Sequence, residues 1–132
     1  MTNTTSFADW QAKAKALTIR SQAFIDGEYV DAVSGKTFSC ISPSDGTCLA
    51  RIAECESADV ELAVAAARRA FDAGVWSEAS PVHRKKTLQK FARLIEQHAE
   101  ELALLESLDM GKPVADALSI DVSASVRCLD WT

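Results

Sequence analysis

Phe24-Ile25-Asp26-Gly27-Glu28-Tyr29-Val30 places Asp-Gly between two runs of β-forming residues. Asp-Gly supplies the positive φ angles of a two-residue turn, so the stretch predicts a tight hairpin. The pattern continues downstream with a turn at Ser34-Gly35, an extended run from Thr37 to Ile41 and turn chemistry in Ser42-Pro43-Ser44-Asp45-Gly46. A further short strand runs from Leu49 to Ala53. Upstream, Ser6 can cap a helix in which Phe7, Trp10, Ala14 and Leu17 recur at helical spacing. About four short, locally connected strands therefore follow one lead-in helix.

The period changes at Ser57. Val60, Ala63, Val64, Ala67 and Phe71 fall on one helical stripe, Asp59 favours the positive end of the dipole, and Gly74 can stop the helix. Ser80-Pro81 is a cap followed by proline at the first helical position, and the stripe from Leu88 to Leu108 predicts a long helix with one break near Gln97 or His98. Gly111 and Pro113 end it. A last helix from Pro113 or Val114 aligns Leu118, Val122, Val126 and Leu129. That stripe still runs at Trp131 with no stop signal, which is read as a chain cut within a longer one.

Composition narrows the function classes. With 48% hydrophobic and 25% charged residues the chain should fold rather than stay disordered. Its fourteen basic residues are outnumbered by nineteen acids, for a net charge of -5, which argues against a nucleic-acid partner. Neither a membrane span nor a signal-like start is visible, so the expected compartment is the cytoplasm. Cys40, Cys48, Cys55 and Cys128 lack paired spacing and are expected to be reduced, packed thiols.

Catalytic patterns are sparse. The five glycines are isolated, so no phosphate-cradling loop exists. Cys55 alone stands near a helix start, but a nucleophilic thiol also needs a base or cation and an oxyanion site. His83 and His98 are far apart without a third ligand, and His83-Arg84-Lys85-Lys86 with Lys90 and Arg93 reads as a solvated helix face. Asp109, in the last turn of the long helix, opposes the dipole there and needs compensation, either from Lys112 or from a metal ion.

The segments Phe24 to Tyr29, Ser34 to Phe38, Asp59-Val60, Ala65 to Phe71 and Leu105 to Pro113 occur in an order that closely resembles the start of the aldehyde dehydrogenase superfamily. The lead-in around Trp10 to Ala14 is similar to bacterial members that degrade putrescine. The resemblance implies an incomplete α/β fold: residues 1–23 as a helical lead-in, and 24–132 as the first part of the cofactor-binding domain. It further implies a homo-oligomeric oxidoreductase that uses NAD or NADP to convert an aldehyde to a carboxylic acid through a cysteine thiolate and a glutamate-activated water. None of that family's catalytic or cofactor-binding residues matches a position in this chain, so activity of the chain alone is not expected. One family site does match, a structural potassium or sodium ion held by the backbone carbonyls of Cys40 and Ile41 and the carboxylate of Asp109. The competing expectation is a non-catalytic interaction module that pairs with a full-length relative. A partial fold should also leave apolar stripes bare.

Overall fold

The computed structural model describes residues 5–131. Helix α1 (Phe7–Ala16) is followed by strands β1 (Ala23–Ile25), β2 (Glu28–Val30), β3 (Thr37–Ile41) and β4 (Cys48–Ala53), then by helices α2 (Ser57–Asp72), α3 (Pro81–Gln97) and α4 (Ala99–Met110). A final helical run comprises α5 (Val114–Asp116), a π-helical segment (Ala117–Val122) and α6 (Ser123–Asp130). This is the lead-in helix, short antiparallel strands and amphipathic helices that the sequence implies.

The strands form two separate antiparallel ladders, β1 with β2 and β3 with β4. In the first, Asp26 and Gly27 adopt φ of 55° and 85°, the left-handed pair a tight hairpin requires. Phe24 faces Tyr29 across it at 5.1 Å between ring centroids, and the Arg20 guanidinium covers Tyr29 at 4.3 Å. The second ladder pairs Cys40 with Ala50 but Ile41 with Cys48, so its register slips at Leu49. The backbone N–H of Ala53 donates to Ser21 and that of Glu54 to Lys36, tying the end of β4 to both flanking loops.

Helix α1 begins with a capping box between Ser6 and Asp9. Trp10, Ala14 and Leu17 are half-buried while Phe7 is exposed. Lys13 pairs with Glu100, which joins α1 to the start of α4.

Helix α2 is held by a buried carboxylate. Asp59 accepts the backbone N–H groups of Glu56 and Val33, each at 2.8 Å, so one side chain caps α2 and pins the loop after β2. The apolar stripe expected on α2 forms but lies bare: Val60, Val64 and Phe71 are 56%, 62% and 60% exposed. No other layer covers it among the described residues.

Ser80 caps α3 through the N–H of His83, and Pro81 fills the first helical position. The expected break falls at His98, whose φ of -103° and ψ of 19° bend the rod between α3 and α4. Gly111, at φ 74°, closes α4 so near the turn after β3 that a Cβ there would come within 3.0 Å of Pro43 Cγ. The last helix departs from the regular one expected. Its π-helical segment inserts a wider turn, and the Ser123 hydroxyl donates to the Leu118 carbonyl at 3.1 Å inside it.

The core sits where this run packs back on α3 and α4. Ala103, Ala117 and Val122 are buried there against Ile95, Ala99, Val114 and Leu118. Small side chains at the contact let the helices approach closely, but they bury little area each. Among the described residues no helix is long and apolar enough to cross a membrane.

Candidate functional site

Cys40 lies on β3 at the register slip, Ile41 follows it at the strand end, and Asp109 occupies the last turn of α4. The fold brings the two elements together. Cys40 Sγ donates to Asp109 Oδ1 at 3.0 Å, across 69 residues of sequence. Packing of Gly111 against Pro43 holds the end of α4 beside the end of β3.

The hydrogen bond to Asp109 pushes the Cys40 thiol above its ordinary range, with burial and the negative charge of Asp109 adding to it. A thiol held protonated beside a carboxylate is the reverse of an activated nucleophile. Cys40 is thus a hydrogen-bond donor, and its sulfur marks where Asp109 reaches the sheet.

Lys112 does not compensate Asp109. The left-handed turn at Gly111 swings the next residue toward the last helix, where Lys112 pairs with Asp121 and stands 3.9 Å from Glu106. The bond to Asp121 chiefly raises the pKa of Lys112, and burial opposes it. The Ser107 hydroxyl donates to the Lys112 carbonyl at 2.7 Å and steadies the turn. Asp109 is left exposed, with the Cys40 thiol as its hydrogen-bond partner.

Of the residues expected to hold a cation, Cys40 and Asp109 meet through the thiol–carboxylate hydrogen bond, and Ile41 follows at the distorted strand end. Hard oxygen donors with a single formal charge suit a monovalent cation better than a transition metal. Among the described residues no group of three or more His, Cys, Asp or Glu side chains is assembled to hold a metal ion.

The remaining expected residues fall as follows. All four cysteines are free, as expected, but they are not packed: Cys40 is half-buried, and Cys48, Cys55 and Cys128 are exposed. Cys128 is exposed on α6, a side of the helix that no other element covers among the described residues. His83 is exposed, and His98 Nδ1 lies 3.2 Å from Glu101 Oε2 at the rod's elbow. The basic run on α3 is mainly solvent-facing. Sequence reasoning credited Asp59 with a dipole effect only and missed its link to Val33. The signal available was its position three residues after Glu56, the spacing of a capping box without the usual serine or threonine.

The conserved pattern described as "Aldehyde dehydrogenase family" matches residues 29–132. The chain is 46% identical over 124 residues to the NADP/NAD-dependent aldehyde dehydrogenase PuuC of Escherichia coli (strain K12), covering 94% of this chain and 25% of that protein. It is 42% identical over 131 residues to the aminoacetaldehyde dehydrogenase of Pseudomonas aeruginosa, covering 99% of this chain and 26% of the relative. Among solved structures, the gamma-glutamyl-gamma-aminobutyraldehyde dehydrogenase of Burkholderia cenocepacia J2315 superposes with a TM-score of 0.92 at 53% identity. The indole-3-acetaldehyde dehydrogenase AldA of P. syringae, in complex with NAD+ and IAA, superposes with a TM-score of 0.92 at 55% identity. Each superposition covers 94% of this chain and 25% of the other. The chain therefore spans about a quarter of the length of the relatives it matches. Sequence and fold agree across the matched residues, and the chain belongs to the aldehyde dehydrogenase family.

Proposed function

We propose that this chain serves as the opening part of the cofactor-binding domain of a cytoplasmic NAD(P)-dependent aldehyde dehydrogenase, and that it is inactive alone. The substrate we assign to the whole enzyme is gamma-glutamyl-gamma-aminobutyraldehyde, oxidised to its carboxylic acid during putrescine breakdown. The similarity to PuuC and to the Burkholderia enzyme of that name supports this choice. The observation that carries the domain reading is the bare stripe of Val60, Val64 and Phe71, an apolar helix face of the kind that packs on a sheet. NAD or NADP supplies the hydride acceptor when bound. This chain's part is to form one wall of the domain and to fix the corner at Asp109.

A chimera tests the reading. Replacing the matching segment of E. coli PuuC with this chain should give an oligomeric enzyme that reduces NAD or NADP with that aldehyde, while the isolated chain gives no turnover. A folded chimera without turnover would contradict it.

At that corner, the carboxylate of Asp109 and the carbonyls of Cys40 and Ile41 take a potassium or sodium ion as a structural element. Adding potassium in place of choline should raise the melting temperature, and Asp109→Ala should abolish the increment. An increment that survives the substitution argues against the site.

The same bare stripe also suits a non-catalytic module that binds a full-length relative. Co-purification at micromolar concentration with full-length PuuC, lost in Phe71→Glu, would favour that second reading.

A further inference from the structure

Asp109 stands at a helix end that offers it no positive charge. It lies in the last turn of α4, where the helix dipole is negative, and that turn carries no basic residue. The left-handed Gly111 sends Lys112 to Asp121 instead. Among the described residues Asp109 has no ion pair, and its one hydrogen bond comes from the Cys40 thiol, to Oδ1 at 3.0 Å. Both ends of that bond are held by the backbone. Cys40 faces Ala50 in the last regular pair of β3 before the register slips, and Asp109 lies two residues before the glycine that packs on Pro43.

A thiol acts on this carboxylate differently from a lysine. It carries no charge, so it orients the carboxylate without cancelling the charge on it. It is also a weak donor and competes little for the remaining lone pairs. Asp109 Oδ2 accepts no hydrogen bond from the described residues. The outcome is a negative charge that is aimed, left open and set beside the negative end of a helix. As a stabilising device alone this is unfavourable, whereas as part of a cation site it is preorganised.

We propose that Cys40 is a positioning residue for the cation: its side-chain thiol sets the Asp109 carboxylate in the orientation that receives a potassium ion. This rests on Asp109 being a ligand of that ion, as proposed above. A carboxylate already aimed loses less freedom on binding, so the thiol contributes to affinity without touching the ion. Sulfur itself is no ligand here, since a soft thiol is a poor partner for a hard monovalent cation.

Thermal melts of the full chain at constant ionic strength, with potassium chloride exchanged for choline chloride, give an apparent potassium dissociation constant. Cys40→Ala and Cys40→Val remove the donor, the second while keeping bulk, and Cys40→Ser keeps a donor. The expected dissociation constant is about fivefold higher in both donorless variants and within about twofold of wild type in Cys40→Ser. Melting temperatures in choline separate a structural role: a thiol that only braces the fold lowers them and leaves the dissociation constant unchanged. That outcome in either folded donorless variant overturns the positioning role while the cation site stands. An equal loss in Cys40→Ser and Cys40→Ala overturns it too, because the donor then does not matter. A wild-type chain that gains nothing from potassium, or keeps its gain in Asp109→Ala, removes the site itself and the role of Cys40 with it.

Discussion

Asp59 takes the backbone N–H of Val33 at 2.8 Å from 26 residues away while also capping its own helix, so one carboxylate joins the first hairpin to α2. Buried N–H groups left without an acceptor are costly, and Asp59→Ala would strand two of them. The expected outcome is a melting temperature lower by roughly 5 °C, with loss of protection at the Val33 amide in hydrogen exchange. Asp59→Asn, which keeps one acceptor oxygen, should lose less. An unchanged melting temperature in the alanine variant would show that the link contributes nothing.

The same bonds give a pH dependence with a definite sign. The N–H groups of Glu56 and then Val33 hold the Asp59 carboxyl below its ordinary value of 3.8, and hydrogen bonding lowers Asp9 and Asp45 similarly. A carboxyl depressed in the folded state contributes stability that is present above the ordinary value and is lost as pH falls through the folded one. Denaturant midpoints for this contribution should therefore be flat from neutrality to about pH 5 and should fall below about pH 4. Asp59→Asn should shrink that fall.

Thiol reactivity should be uneven. Cys40 is half-buried and its thiolate is disfavoured by Asp109, whereas Cys48, Cys55 and Cys128 are exposed. Peptide mapping after a short iodoacetamide pulse near pH 8 should find Cys40 labelled last. Asp109→Asn should speed its labelling several-fold. Equal rates at Cys40 and Cys128 in the wild type would contradict the Sγ to Oδ1 bond.

The bare face of α2 should behave as surface. Phe71→Ser should change stability by no more than about 0.5 kcal/mol, since surface changes away from caps and cores are small. Binding of a hydrophobic dye should fall in the same variant. A large loss of stability would mean that Phe71 is covered.

How much of this was legible in the sequence depends on how local the determinant is. Asp26-Gly27, Ser80-Pro81 and Gly111 act within a few residues, and each sits where its turn, start or stop was expected. The break at His98 also showed in the pattern. The partner of Lys112 did not, because the left-handed turn at Gly111 decides between Asp109 and Asp121 only once the last helix has folded back. Periodicity found the Val60 to Phe71 stripe and Cys128 but could not say whether anything covers them. Burial is a property of the neighbouring layer, and none lies there among the described residues. Asp109 stood out in the sequence because a carboxylate opposes the helix dipole there, but its contact with Cys40, 69 residues away, has no local signature.

The wide turn at Ala117–Val122 holds one residue more than a regular helix of the same rise would need. Such a turn works as a phase adjuster. It sets the stripe of α6 by an angle independent of the one that seats α5, so the two halves of the last helix can each answer to a different neighbour. Removing a single residue there, such as Ser119, should leave a smoother helix whose far end points the wrong side chains at α3. Changes within α6, by contrast, can be absorbed without disturbing the clasp between Lys112 and Asp121.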